Sequence, residues 1–356
     1  MKKNTKIICS VIASIAICAV IFFVGKLPAS SMMRTSLLMG SIYALISVSM
    51  NLLNGVTGQF SLGQAGFMTL GAYTYAILTI PVAAKPGVYY LYGVCYALAN
   101  ISLPIIPALI IAGLVAAIFA AIIGAPVLRL KSDYFAIATL GFAEVVRIVV
   151  ASSPLNRITN GSLGLNSIPS FKSYYSFFAV IIICIIIMAL IKKSTYGRSF
   201  KAIRDDEIAA EAMGINLARH KMTSFIISSF FAGIGGALLA MYLKAVSATT
   251  FTLASATYYI LLMVVIGGMG SFTGSIVASL LVIFAKEWWL RFLDAPLVIN
   301  GFKVPLLRPG FRMVIFSVIL MIVVLFFRRG IMGDNEFSWD AVAKLFKKKD
   351  KKEVQK

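Results

Sequence analysis

Charge is what this chain has least of. Of its 356 residues, 13% are Lys, Arg, Asp or Glu, against about 25% in an ordinary soluble domain, and only 13 are acidic. With 60% hydrophobic residues and a mean hydropathy of +0.93, a water-soluble globule is excluded and an integral membrane protein is implied. Histidine is nearly absent as well. The single one, His220, lies between Arg219 and Lys221 with no second ligand or nucleophile to serve, so its expected role is anchoring at the membrane edge. The four cysteines, Cys9, Cys18, Cys95 and Cys184, sit in apolar runs without CxxC spacing. Neither a disulfide framework nor a zinc site follows from them, and they read as small core residues. Also missing is a phosphate-binding G-x-x-x-x-G-K-S/T, because the Gly25–Lys26 pair is followed by Leu27. No paired carboxylates in a pocket-like setting and no Ser-His-Asp set stand out. The chain is therefore expected to be neither an enzyme nor an ATP engine, and no metal site is suggested.

What is present is length without charge. Residues Ile7–Gly25, Thr35–Ala84, Gly87–Leu128, Ser173–Ile191, Met222–Leu243 and Ala245–Ala285 contain no Lys, Arg, Asp or Glu. About 20 apolar residues cross a bilayer core, so the short intervals hold one helix and the long ones two. The expected spans are 7–24, 36–53, 65–80, 105–128, 133–150, 174–191, 222–243, 256–266, 275–290 and 311–327. This describes an all-α polytopic membrane protein with about ten transmembrane helices, eight at the lower bound. The basic, apolar start at Met1–Val24 mimics a signal peptide, but its run is long and no A-x-A site follows, so it is read as a retained first helix. An even number of spans puts both termini on one side. With both cytoplasmic, 21 of the 33 basic residues fall inside, in agreement with the positive-inside rule. Net charge of +20 thus reports topology, and nucleic acid is not an expected partner. The membrane domain is taken as 1–329, with a cytoplasmic loop at 195–221, followed by a basic cytoplasmic tail at 330–356. The tail, ending KLFKKKDKKEVQK, reads as solvated and orienting, with anionic membrane lipid as the alternative contact.

Two segments interrupt the helical pattern without introducing charge. In NLLNGVTGQFSLGQAGF, Asn51–Phe67, a polar row of Asn51, Asn54, Thr57, Gln59, Ser61 and Gln64 accompanies several glycines. In VIGGMGSFTGS, Val265–Ser275, the corresponding residues are Gly267, Gly268, Gly270, Ser271 and Thr273. Irregular backbone inside a membrane is tolerated only where it is buried in protein or lines a wet cavity. Both breaks are therefore candidate walls of a pathway, as in transporters with broken helices, the alternative being tight turns or close packing through small residues. One lies in each half of the chain, which hints at two related halves. A row of donors and acceptors without fixed charge suits a zwitterion or neutral polar solute better than an ion. Glu144 and Arg147 share one helical face, and their pairing lowers the cost of charge in the membrane. They read as structural glue, with contact to a charged substrate group as the alternative. The segment Asn156–Pro169 reads as an outside loop, whose Thr159, Asn160 and Gly161 dock a partner, close the pathway or simply form a surface turn.

YGRSFKAIRDDEIAAEAMGINLARHK, Tyr196–Lys221, is the longest basic loop between spans. Its interior predicts one short amphipathic helix from about Ser199 to Met213, capped by Ser199 and stopped by a left-handed Gly214. Ala202, Ile203, Ala210 and Met213 share its apolar side, and Lys201 faces Asp205. So short a helix is marginal alone. Its acids oppose anionic lipid, which leaves a groove on a cytosolic partner as the expected seat.

Four ordered blocks, GVTGQFSLGQAGFMTLGAY, RLKSDYFAIATLGFAEVVRIV, TNGSLGLNSIP and GRSFKAIRDDEIAAEAMGI, resemble the permease subunit of bacterial branched-chain amino acid ABC importers, of the LivM type, over roughly Leu37–Phe327. The resemblance implies a type II ABC importer permease fold in the bacterial inner membrane, with a second homologous permease subunit as partner. It implies two cytosolic ATPase subunits carrying ATP and Mg, with no cofactor in this chain, and an extracytoplasmic substrate-binding protein. It also implies that the cytoplasmic helix is a coupling helix, its motif falling on Arg198, Arg204, Asp205, Asp206, Ala209, Ala210 and Gly214. Importers of urea and short amides resemble the same family. A stand-alone secondary transporter or channel, or an anchor for a cytosolic protein, are the rival classes. Few intramembrane acids beyond Glu144 and Glu287 count against ion coupling.

Overall fold

The computed structural model describes residues 19–28, 31–130, 132–290, 298–299, 302–303, 311–326, 330–333 and 336. Most of the expected first span and nearly all of the lysine-rich tail lie outside these residues. The long helices are α1 (Met32–Asn51), α2 (Gln64–Thr79), α3 (Ile105–Val127), α4 (Ser132–Val150) and α5 (Tyr174–Lys193). After two short helices, α6 (Thr195–Asp205) and α7 (Glu207–Ala212), come α8 (Leu217–Leu243), α9 (Tyr258–Gly267), α10 (Phe272–Glu287) and α11 (Phe311–Phe326). Among the described residues four helices are long and apolar enough to cross a membrane, or six if each of two bent pairs is one span.

Burial sorts these helices. α1 and α8 are mostly enclosed by protein, whereas only a third of the span windows of α3 and α5 is buried. The outer pair is almost wholly apolar through its middle, as in IIPALIIAGLVAAIFAAIIG and AVIIICIIIMALI. The inner pair carries Ser47 and Ser49 on α1 and Ser224, Ser228 and Ser229 on α8, all buried. In lipid, polar groups must be satisfied by protein, so they collect where neighbouring helices can bond them. Ser228 Oγ, for example, donates to Ser49 O at 2.6 Å. Glycines let the inner helices touch: a Cβ on Gly71 of α2 would lie 2.1 Å from Gly233 O, and one on Gly236 of α8 would lie 2.2 Å from Met68 O. This close backbone approach is the usual means of helix association where apolar burial cannot drive it.

The connections gather at two ends. At one end, Tyr89 Oη donates to Ile158 O at 2.7 Å and Cys95 N to Arg157 O at 3.1 Å. Leu165–Asn166 pairs antiparallel with Ala245–Val246. The Pro81–Pro107 region here holds short turns, Val82–Ala84, Lys85–Val88 and Tyr96–Ala99, the first two bent away from α2 by 99°. Thr159, Asn160 and Gly161 are buried and face inward: Asn160 Nδ2 bonds Val88 O at 3.0 Å and Thr159 Oγ1 bonds Val150 O at 2.7 Å. At the other end lie residues 57–63, α6, α7, the α9–α10 turn, residues 330–333 and Glu336.

The single helix expected from Ser199 to Met213 is instead two. α6 starts at Thr195, so Ser199 is interior and bonds Thr195 O at 3.2 Å rather than capping. Asp206, extended at φ −159° and ψ 114°, interrupts the run and caps α7 by accepting from Ile208 N and Ala209 N. An Asp that can bond its own downstream backbone competes with helix continuation. Gly214 does occupy the left-handed region, at φ +82°. Gly214 N bonds Glu211 O at 2.9 Å and Ile215 N bonds Ala210 O at 3.1 Å, the Schellman pattern of helix termination. Asp205 pairs with Arg204.

Candidate functional site

The first break begins where α1 widens into π-geometry over Leu52–Val56. Thr57 closes that turn: its Oγ1 lies 3.0 Å from Leu52 O and 2.6 Å from Ser224 Oγ. Asn54 then reaches across the loop, donating to Ser61 O at 3.2 Å and accepting from Ser61 N at 3.1 Å. Leu62 N finds Thr139 Oγ1 at 3.1 Å, Ala65 N finds Thr257 Oγ1 at 3.1 Å, and Gln64 Nε2 finds Ser49 Oγ at 2.7 Å. Buried backbone groups need partners, and here side chains from α4, the α8–α9 connection and the loop itself supply them. Gln59 is the exception: it is buried, yet neither amide atom has a hydrogen-bond partner among the described residues.

The second break is built of glycine. Gly268 and Gly270 hold φ of +111° and +103°, which side-chain-bearing residues rarely adopt. Ser271 caps α10 by accepting from Gly274 N at 3.1 Å, and its Oγ lies 3.3 Å from Thr273 Oγ1. Gly267 sits against Gly274, where a Cβ would lie 2.5 Å from backbone.

The two breaks form one knot. Asn51 Nδ2 donates to Ser271 O at 2.8 Å, Ser275 Oγ at 2.7 Å and Gly268 O at 3.3 Å, and its Oδ1 accepts from Gly270 N at 2.8 Å. From the far end of the chain, Ile331 N and Met332 N donate to Ile266 O and Gly267 O. Glu336 accepts from Phe272 N at 3.0 Å, Thr273 N at 3.1 Å and Thr273 Oγ1 at 2.8 Å. Lys192, at the end of α5, bonds both Glu336 and Gly270 O. Burial alone would raise the Glu336 carboxyl, but its bonds from Lys192, Phe272 and Thr273 win and hold it at about 2.

The charged segment rests on this knot. Phe200 and Ile203 of α6 and Ala210 of α7 are buried, so the surface it needs is first of all the chain's own helix ends. Arg204 Nη1 donates to Gly55 O at 2.9 Å, and its side chain packs against Gly58, which has φ +77°. Arg198, Asp205, Asp206, Ala209 and Gly214 are exposed. Met213, expected on the apolar side with Ile203 and Ala210, is 83% exposed and Ile208 is 82% exposed, because the break at Asp206 turns α7 relative to α6. An apolar pair thus faces outward beside the acids.

Glu144 stands apart from the knot. It pairs with Arg147 Nε at 2.7 Å on α4, each side chain about a third exposed. Lys192, Glu336, Ser224, Thr139 and Thr257 belong to the knot without having been legible as members. In the sequence Lys192 is only the charge that follows the Ser173–Ile191 run, and Glu336 carries no signal.

Fold and site define a polytopic helical membrane protein whose helix breaks are tied directly to an exposed charged segment. The family model for the permease component of branched-chain amino acid transport systems matches residues 32–327, and the chain belongs to that family. It is 32% identical over 294 residues to the high-affinity branched-chain amino acid transport system permease protein LivM of Escherichia coli, covering 73% of this chain and 64% of that one. The LivM protein of Salmonella typhimurium is 31% identical, with 74% and 65% covered. A probable branched-chain amino acid transport permease protein LivM of Methanocaldococcus jannaschii is 28% identical, with 70% and 79% covered. The match spans a little under two thirds of the length of the two enterobacterial relatives. No solved structure matches.

Proposed function

We propose that this chain is the membrane-spanning permease subunit of an ATP-driven importer for branched-chain or related amino acids. On this reading ten helices span the bacterial inner membrane with both termini cytoplasmic. The end holding α6, α7 and the knot is cytoplasmic, and the end holding Asn156–Pro169 meets an extracytoplasmic binding protein. A second homologous permease completes the pathway, and two cytosolic ATPases supply ATP and Mg chemistry. α6 and α7 act as the coupling element, with Arg198, Asp205, Asp206, Ala209, Ile208 and Met213 offered to the ATPase.

The observation that carries the reading is the Arg204 bond to Gly55. It ties the segment that a cytosolic partner can reach to the break whose other side chains organise the membrane helices. Movement of α6 then displaces Gly55, and through Asn51 the α9–α10 turn as well. Gating is expected where Asn51, Asn54, Thr57, Gln59, Ser61 and Gln64 meet Gly267, Gly268, Gly270, Ser271 and Thr273. Glu144 and Arg147, partly exposed on α4, are placed at the face shared with the second permease, since an ion pair is costly against lipid.

The test is uptake of labelled leucine in vesicles containing the assembled complex. ATP-dependent uptake is expected, competed by isoleucine and valine and not by urea. Arg204→Ala should lose at least tenfold in uptake while the complex still assembles. Uptake without ATP, or competition by urea in place of isoleucine, would overturn the assignment.

A further inference from the structure

The excursion between α2 and α3 is neither a span nor a polar loop. It leaves α2 at Pro81 and returns to it at Leu103, whose N–H donates to Leu78 O at 2.8 Å. α3 then starts at Ile105 and runs for 23 residues, about 34 Å at 1.5 Å per residue, against about 30 Å for a bilayer core. A span of that length puts its first turn, and the excursion pinned beside it, at the level of the lipid headgroups. The inner face of the excursion is fixed to protein: Tyr89 Oη donates to Ile158 O, Cys95 N to Arg157 O, and Asn160 Nδ2 to Val88 O. Lys85, the one charge between Pro81 and Pro107, is turned inward too. It is buried, with Nζ donating to Leu98 O and Ile101 O. Left outside are Tyr96, 94% exposed, and Tyr90, 72% exposed, with Leu91, Tyr92 and Ile101, and none of these carries charge. That face leads into Ile106, Ile110, Leu114 and Ile118 of α3, all exposed and spaced four apart along one side of a span.

We infer that residues 82–101 form an interfacial anchor, with the Tyr90, Leu91, Tyr92 and Tyr96 face lying in the headgroup layer of the bilayer. Tyrosine suits that boundary because its ring is apolar and its hydroxyl bonds water, and membrane proteins concentrate it there. Burying the Lys85 ammonium against two carbonyls removes the one charge that would hold the face away from the upper acyl chains. Arg157, exposed on the turn that accepts Cys95 N, is of the kind that reaches from a span end to the interface. Depth, and continuity with the lipid-facing stripe of α3, select lipid over a soluble protein, which would have to displace headgroups to reach the same surface. The anchor holds the Asn156–Asn160 turn through Val88, Tyr89 and Cys95, so lipid contact fixes the height of that turn over the membrane. This holds whether or not the chain imports amino acids.

The experiment is fluorescence quenching of the full chain in phosphatidylcholine vesicles whose acyl chains are brominated either near the headgroup or near the chain ends. Tyr90→Trp and Tyr96→Trp report the anchor. Ile118→Trp on α3 is the reference for the bilayer centre and Ile208→Trp on α7, between Glu207 and Glu211, the reference for water. All four sites are exposed, so the added ring disturbs no packing. Each signal is read as the increment over the parent, which has its own Trp288, Trp289 and Trp339. Tryptophan at 90 and 96 should be quenched severalfold more by the upper bromines than by the lower ones, with the order reversed at 118 and little quenching by either at 208. Quenching at 90 and 96 by aqueous acrylamide but by neither lipid, as at 208, would overturn the anchor and leave the face to a soluble protein. A preference for the lower bromines matching that at 118 would overturn it as well, since the excursion would then enter the bilayer core.

Discussion

The first break ties itself shut, with Asn54 spanning its own loop to both backbone groups of Ser61. The second is a run of glycines held from outside, by Asn51, by Lys192 and by Ile331, Met332 and Glu336. Both looked alike as sequence, since each mixes Gly with Ser, Thr or Asn. The difference is between a break that bonds across its own loop as well as to Thr139, Ser224 and Thr257 and one held chiefly by side chains from elsewhere in the chain. Under the proposed function that distinction would separate a lever from a gate, the first break receiving Arg204 and the second yielding when the bonds that hold it change.

Removing the shared staple is expected to have the largest effect. Asn51→Leu removes the bonds to Gly270 N–H, Gly268 O, Ser271 O and Ser275 Oγ and leaves the buried Gly270 N–H without a partner, a loss of about 3 kcal/mol or more at roughly 1 kcal/mol per bond. Asn54→Leu breaks only the link to Ser61 and should cost about 1–2 kcal/mol. Thermal unfolding in detergent measures both, and equal losses would erase the contrast between the breaks.

Next in size is Gly55→Ala. Its Cβ would lie 1.9 Å from Asn51 Oδ1 and 2.3 Å from Gly270 N, so the second break must open to admit it, at about 1–3 kcal/mol for overpacking. Gly214→Ala meets no atom within 4 Å and is strained only by its φ of +82°, at about 1 kcal/mol. If the two variants proved equally stable, the close packing of the breaks on each other would be refuted.

How much of this was legible follows from the kind of signal each element carries. The long apolar helices showed in the charge-free intervals, because lipid forbids charge over the same length that a helix needs to cross it. The left-handed stop at Gly214 showed for a local reason, since a glycine after an apolar periodic stretch has few other uses. The division at Asp206 did not show, because Asp serves equally as a helix-face residue or as a cap, and tertiary packing of Phe200 and Ile203 decides which. The polar row Asn51, Asn54, Thr57, Ser61 and Gln64 was visible as a set, but composition cannot say whether a side chain bonds a neighbour or faces a path. Asn51 reaches Ser271 across 220 positions, and no local pattern encodes a partner so distant. Gln59 was indistinguishable from the others in the row, although it alone of them has its whole side-chain amide unbonded.

The smallest effect, and the sharpest for the comparison, is the pH dependence of Glu336→Gln. In the folded chain the carboxyl is held at about 2, below the roughly 4.3 of an unfolded Glu. A carboxyl lowered on folding contributes stability that is present above the unfolded value and is lost as pH falls toward the folded one. Because its side chain is 40% exposed, solvent screening reduces the contribution to about 1 kcal/mol at neutral pH. Glu336→Gln keeps an acceptor for Phe272 N and Thr273 N but loses the charge facing Lys192, so it should be the less stable by that amount at pH 7. The gap should close between about pH 4.3 and 2, while the cost of Asn54→Leu, which involves no titrating group, should stay constant over the same range. A gap for Glu336→Gln that persisted undiminished at pH 2 would mean that the Glu336 charge is not what holds the second break.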